Sequence, residues 1–150
     1  MATLESASKD ILNGLNTISS QIGRAVASDL HTLTLVRIFD DGIASDGSKI
    51  GTYSPVTVSI KKSKGRFTGN DVNLTDTGKL KNSYLVKPKG KKDYVLGFAN
   101  VSRADGKTNT QLVNELEGEK YNKNIFALTS NEAREINNII GDFLDRNFFK

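Results

Sequence analysis

Apolar residues recur every three or four positions from Leu4 to about Ile38. Such steps return to the same helical face, so the pattern predicts an amphipathic α-helix with polar residues opposite. A helix of about 30 residues would be roughly 45 Å long. Because the average helix has only ~11–12 residues, we expect a break near Gly14, Gly23 or the β-branched run 32–38. The apolar stripe comprises Leu4, Ala7, Ile11, Leu15, Ile18, Ile22, Ala25, Val26, Leu30 and Leu33.

A second amphipathic helix is predicted at the other end of the sequence. Residues 125–128 (IFAL) form an apolar segment directly before this helix, and we expect them to be buried. Thr129 and Glu132 then have the spacing of a capping box, in which a hydroxyl and an acid three residues later satisfy free backbone N–H groups. The helix continues with one apolar stripe, weakened by Gly141. The stripe comprises Ile136, Ile139, Ile140, Phe143, Leu144 and Phe148.

Shorter elements are predicted between the two long helices. Residues 84–86 and 94–99 flank the turn Pro88-Lys89-Gly90-Lys91 and predict a β-hairpin. Ser54 before Pro55 is typical of a helix start, although the alternating residues 56–60 also fit a strand; we favour a helix of one or two turns. Thr75 or Asp76 is expected to cap another short helix, with Leu80 and Tyr84 on one face. Residues 102–110 are expected to form an exposed loop.

Together these elements predict one α+β domain over residues 1–150. A small antiparallel sheet with a hairpin packs against long N-terminal and C-terminal helices. The chain has 150 residues and no cysteine, which excludes disulfides, thiolate nucleophiles and Cys-based zinc sites. No apolar run approaches the ~20 residues that span a bilayer, and residues 1–10 do not resemble a signal peptide. We therefore expect synthesis in the cytoplasm and no membrane association.

The positive charge is concentrated in residues 61–92. The chain carries a net charge of +4, but this segment holds ten basic residues against Asp71 and Asp76. Such a block is expected to face a partner subunit or DNA, or to be a solvated surface. A short acidic patch at Glu115, Glu117 and Glu119 is expected to face the basic segment of a neighbouring molecule. The basic residues are Lys61, Lys62, Lys64, Arg66, Lys79, Lys81, Lys87, Lys89, Lys91 and Lys92.

Motifs of catalysis are absent from the sequence. It contains no GxSxG, Walker A, GxGxxG or HExxH pattern. His31 is the single histidine, so a metal role for it is not expected. The acids of Asp40-Asp41-Gly42 and Ser45-Asp46-Gly47 lack the following glutamate of an EF-hand loop and predict polar turns. We expect no catalytic residue, no metal and no cofactor.

Residues 50–86 resemble the tail-completion and virion-morphogenesis proteins of tailed bacteriophages, also described as head–tail joining or neck proteins. The sequence IGTYSPVT is followed by a basic spacer and then by LTDTGKLKNSYLV. Residues 113–118 and 125–130 resemble later segments of the same family, so about half of the chain is covered. The matching motif positions are Tyr53, Ser54, Pro55, Thr57, Leu74, Asp76, Thr77, Gly78, Leu80 and Ser83.

The resemblance implies a structural virion protein that forms a ring at the head–tail junction. Such a tail terminator or connector joins the tail tube to the portal and leaves a channel through which genomic DNA passes without sequence-specific contact. A hexamer is favoured and a dodecamer is the alternative. The motif residues then have structural roles, and the protein is found in the virion and, during assembly, in the host cytoplasm.

Two other functions remain open from the residues. A small nucleic-acid-binding module could act through residues 61–92, because clustered lysines release counterions from the phosphate backbone. A hydrolase would need a pocket with paired carboxylates of perturbed pKa, and such pairs leave little trace in a sequence.

Overall fold

The computed structural model describes residues 4–149, with the backbone alone for residues 4–8, 10 and 11. It has an α+β fold: two long helices and three short ones accompany one antiparallel hairpin. The predicted fold class is confirmed. The described elements are α1 (Leu4–Leu35), α2 (Pro55–Ser63), α3 (Lys79–Ser83), β1 (Tyr84–Lys89), β2 (Asp93–Phe98), α4 (Asn109–Asn114) and α5 (Ser130–Phe148).

Helix α1 continues without a break through Gly14 and Gly23; of the three places predicted for a break, the β-branched run 32–38 is the one in which the α-helix ends, at Leu35. At Gly23 the backbone of the hairpin comes close: a Cβ there would lie 3.0 Å from the carbonyl oxygen of Lys92. The glycine thus serves packing against the hairpin. The β-branched run does loosen the helix, since Val36–Asp40 form a π-helical turn. The predicted apolar positions Leu4, Ala7 and Ile11 lie outside the described side chains.

The hairpin and α5 both pack against α1. In the hairpin Tyr84 lies opposite Phe98 and Lys89 opposite Asp93. Pro88 is therefore a residue of β1 and not of the turn, and β1 is longer than predicted. His31 on α1 stacks on the Tyr84 ring, and its Nε2 lies 2.8 Å from the Tyr84 carbonyl oxygen.

Capping explains where several helices begin. The Thr129–Glu132 capping box is present, so the predicted start of α5 is confirmed. Helix α4 begins with another box, formed by Thr108 and Gln111. Residues 109 and 110 therefore belong to α4 and not to the loop predicted over 102–110. A π-helical turn, Glu115–Lys120, extends α4. Neither Thr75 nor Asp76 caps α3, whose N-cap is Gly78 in the left-handed region (φ 77°).

The hydrophobic core lies at the C-terminal end of α1. The four aromatic rings of Phe39, Tyr84, Phe98 and Phe126 pack with centroid distances of 4.9–6.5 Å. Ring pairs at these separations are favourable in tilted and edge-to-face arrangements. The buried core residues are Ile38, Phe39, Ala44, Ile50, Val72, Leu80, Tyr84, Leu116 and Ile125.

The Arg37 side chain connects the loop at residue 43 and residues 125–132 to this core. Its guanidinium donates to Glu132 Oε1 (2.8 Å) and to the carbonyl oxygens of Ile43 (2.9 Å), Ile125 (3.1 Å) and Ala127 (2.8 Å). Because Glu132 also completes the cap of α5, one side chain joins α1, two loops and the start of α5. Helix α5 then runs antiparallel to α1, with residues 142–147 beside Ala25 and Asp29.

Candidate partner-binding groove

A groove of about 870 Å³ opens beside the core. One wall comes from α2, the segment 74–78 and α3; the other comes from residues 101–105, α4 and the π-helical turn after it. Its apolar lining includes Tyr53, Leu74, Leu80, Leu112 and Leu116. Pockets of this volume and lining are typical of binding sites for ligands or peptide segments.

The first wall owes its shape to local hydrogen bonds. The Ser54 hydroxyl accepts from the Thr57 N–H (3.2 Å), and Pro55 occupies the first turn of α2. The predicted start of α2 is thus confirmed, as is the preference for a helix over a strand. Asn73 Oδ1 accepts from the Tyr53 hydroxyl (3.1 Å) and from the Thr75 N–H (3.2 Å), which holds the second segment against the first.

The two halves of the sequence motif, residues 53–57 and 74–83, meet at this groove. Tyr53 and Thr57 belong to the first half, and six residues of the second half also line the groove, from Leu74 to Ser83. Ser54 and Pro55 shape it indirectly, as the cap and first residue of α2. Residues separated by a basic spacer in the sequence therefore form a single surface.

Lys61 is buried, and its prediction as part of an exposed basic surface is corrected. It is 3% exposed and lines the groove. Its ammonium donates to the Thr75 carbonyl oxygen (2.6 Å) and to the Tyr53 hydroxyl (3.2 Å), and lies 4.3 Å from the centre of the Tyr53 ring. An ammonium has three N–H donors, and no carboxylate among the described residues pairs with this one. Burial of a charge without a counterion is costly, so the site favours an anionic group from outside.

Other charges at the groove reinforce this preference. Asp76 pairs with Arg66 (3.1 Å) and Asp105 with Arg103 (3.5 Å). Lys79 and Lys120 also line the groove, and neither forms an ion pair with any described side chain. The backbone N–H of Lys107 lowers the pKa of Asp105, which keeps this carboxylate ionised. The charges left without a partner at the groove are thus positive.

The remaining predicted basic residues lie on separate elements. Lys62 and Lys64 end α2, with the Lys62 ammonium 4.8 Å from the centre of the Phe67 ring. Lys81 pairs with Asp40 (2.5 Å), and Lys87 donates to the Phe98 carbonyl oxygen. Lys89, Lys91 and Lys92 are exposed at the hairpin tip, which packs beside Gly23 of α1.

The three predicted acidic residues differ in their surroundings. Glu115 pairs with Lys107 (2.7 Å), and this hydrogen bond raises the pKa of Lys107. Glu117 Oε1 accepts from the backbone N–H groups of Ile125 (2.7 Å) and Phe126 (2.9 Å). Glu117 therefore organises the chain's own backbone, whereas Glu119 is exposed.

The turns that hold the other acids are local structures. Asp46 accepts from the Ser48 N–H (2.9 Å) and hydroxyl (2.7 Å), and the latter bond lowers the pKa of Asp46. Among the described side chains, no group of three His, Asp or Glu could hold a metal ion. No helix over residues 4–149 is both long and apolar enough to cross a membrane.

The sequence reading missed the second wall of the groove. Arg103, Leu112, Leu116, Lys120 and Tyr121 line it, and burial raises the pKa of Tyr121. Thr108 followed by Gln111 has the capping-box spacing, and Leu112 and Leu116 follow at i, i+4. These two signals predict an amphipathic helix that overlaps only the last two residues of the expected loop 102–110 and continues into the predicted acidic patch.

Comparisons with protein-family models, curated proteins and solved structures find no match to this chain.

Proposed function

We propose that this chain is a structural subunit of the head–tail junction of a tailed bacteriophage. It assembles into a homo-oligomeric ring, with six subunits favoured over twelve, that joins the tail tube to the portal and surrounds the DNA channel. The observation that carries the proposal is the convergence of the motif. Eight of its residues line one groove whose lining is apolar and cationic, a surface suited to a protein partner.

The physical character of the groove supports assembly over catalysis. Its two carboxylates are each held by an arginine, and the pKa of Asp105 is lowered, whereas a general acid needs a raised pKa. A groove on one part of a subunit suits a heterologous contact, which closes into a ring when the rotation between neighbours permits. The protein would act by its shape and its contacts.

Imaging of the purified protein tests the proposal. Alone, or mixed with portal and tail-tube proteins of the same phage, it is expected to form rings with a central channel in negative-stain images. A protein that stays monomeric at micromolar concentration, and that leaves both partners unchanged, would contradict the proposal.

A nucleic-acid-binding module is the competing function, and the three exposed lysines of the hairpin tip are its best support. A mobility-shift titration with salt separates the two functions. The ring subunit is expected to bind linear DNA weakly. The competing module is expected to bind tightly as a monomer, with affinity falling steeply as salt rises and with loss of binding in a K89S/K91S/K92S variant.

A further inference from the structure

The C-terminal end of α5 presents two partly exposed aromatic side chains, of which Phe148 also packs against Phe143 with a ring-centroid distance of 6.4 Å. Phe148 is 47% exposed and Phe149 is 74% exposed. Asp145 lies three residues before Phe148, so the two share one helical face, and Phe149 follows as the C-cap residue of α5. Asp145 is exposed and belongs to no ion pair among the described side chains. Adjacent exposed aromatic rings of this kind mark sites of protein contact.

This end of α5 complements the groove in both charge and polarity. The groove offers an apolar lining with Lys61, Lys79 and Lys120, none of which pairs with a carboxylate among the described side chains. The α5 end offers two aromatic rings and the Asp145 carboxylate, which has no ion-pair partner among the described side chains. Such pairing of opposite charges around apolar contacts fixes the register and the specificity of an interface.

A subunit cannot fill its own groove with this segment. The groove lies at the C-terminal end of α1, where the Thr75 hydroxyl donates to the Phe39 carbonyl oxygen (3.1 Å). Helix α5 begins at the same end, through the Arg37–Glu132 pair. Its 19 residues carry Phe148 about 28 Å away. The two surfaces therefore lie far apart on one subunit, the groove at the C-terminal end of α1 and the α5 end beside the middle of α1.

We infer that the α5 end of one copy of this chain occupies the groove of the next copy. Phe148 and Phe149 pack against Leu80, Leu112 and Leu116, and Asp145 supplies the missing carboxylate to the groove lysines. The inference rests on the proposed ring assembly, for which it names the subunit contact. The contact joins unlike surfaces, so repetition closes a ring or extends a filament.

The expected contact is small. Two phenylalanine side chains bury about 150–250 Å² each, which is less than the ~800 Å² per partner of a standard interface. A single pair of subunits should therefore dissociate readily, and the contact has to be captured covalently. Because the chain contains no cysteine, each introduced thiol is the only thiol in its chain, and the position of any cross-link is known.

The test mixes two full-length variants, Thr77→Cys at the groove edge and Asn147→Cys beside Phe148, with a short bismaleimide cross-linker. Both residues are exposed, and both phenylalanines are retained. The expected product is the mixed dimer, at a yield at least about tenfold above that of a Ser59→Cys and Asn147→Cys mixture, a ratio that corresponds to ~1.4 kcal/mol. Ser59 is exposed on α2 and does not line the groove.

Charge provides the second readout. Adding Asp145→Asn to the Asn147→Cys chain is expected to lower the mixed-dimer yield about tenfold, as for loss of a close interfacial charge pair of ~1.5 kcal/mol. Asp145 is exposed, so this change does not threaten folding. An unchanged yield would overturn the pairing of Asp145 with the groove.

Two further outcomes would overturn the inference. The Ser59→Cys mixture could cross-link as well as the groove mixture, or Leu15→Cys on the exposed part of α1 could react with Thr77→Cys in place of Asn147→Cys. Images of the unmodified protein distinguish a failure of this subunit contact from a failure of the proposed function. Rings without the Thr77–Asn147 product would refute this contact alone, whereas a chain that forms no ring, alone or with its partners, would refute the proposed function.

Discussion

Replacement of Arg37 tests the organisation of the fold most sharply. Arg37→Met keeps the length of the apolar stem and removes four donated hydrogen bonds. The side chains of Arg37 and Glu132 are only 11% and 8% exposed. Removing one partner of a buried ion pair costs about 3–5 kcal/mol, because the other charge remains buried without compensation.

The expected loss is a large part of the stability of a domain, which is typically about 5–15 kcal/mol. Urea unfolding followed by circular dichroism measures it. With a denaturant slope of about 2 kcal/mol per M, the midpoint of Arg37→Met should fall by roughly 2 M. The double variant R37M/E132Q should be less destabilised than the sum of the single changes, since the stranded carboxylate is also removed.

Arg146→Met is the matched control. Arg146 pairs with Asp142 at 3.6 Å, and the two side chains are 76% and 70% exposed. A solvent-exposed pair of this kind contributes at most about 0.5 kcal/mol. If Arg37→Met costs less than about 1 kcal/mol, or no more than Arg146→Met, then Arg37 does not fasten α5 and the two loops to the core.

Three further changes probe the backbone and the core. Gly42→Ala should destabilise the fold by at least about 2 kcal/mol in urea unfolding, because φ is +68° and the new Cβ would lie 2.4 Å from the Val72 carbonyl oxygen. Gly47→Ala is the control, since φ there is +81° but no atom lies within 4 Å of the new Cβ. An equal loss of stability in both variants would argue against the steric reason. Ser54→Ala should cost about 1 kcal/mol through the lost cap of α2, and an unchanged unfolding midpoint would contradict that role. Burial raises the pKa of Tyr84 to about 12 from 10.0, so its contribution to stability is complete below pH 10 and falls between pH 10 and 12. Because burial also raises the pKa of Tyr121, an ultraviolet titration should show a late ionisation step to which both tyrosines contribute, and Tyr84→Phe should remove one tyrosine from that step.

The elements that the sequence predicts correctly are those whose signals are local. The Thr129–Glu132 box, the Ser54 cap and the hairpin each depend on residues a few positions apart. The same information misplaced the start of α3, because Thr75 directs its hydroxyl to the Phe39 carbonyl oxygen. That tertiary hydrogen bond competes with capping and cannot be read from the neighbouring residues.

The groove could not be predicted from neighbouring residues either, because contacts between distant segments form it. In the sequence Lys61 is one member of a basic run that is expected to be solvated. In the structure its ammonium is buried and donates to the Tyr53 hydroxyl and the Thr75 carbonyl oxygen. Gly23 looks like a helix breaker, yet the hairpin uses its lack of a side chain for close approach. Both outcomes depend on contacts between segments far apart in the sequence, and the convergence of the two motif halves on one groove depends on them too.

Averaged electron-microscopy images of this chain with portal and tail-tube proteins are the decisive test of its proposed role as a ring-forming assembly subunit. We predict a closed ring of this chain, of six or twelve subunits, between the portal and the tube, with an open central channel. Complexes of portal and tube that form equally well without the chain, together with a chain that remains monomeric in their presence, would contradict it.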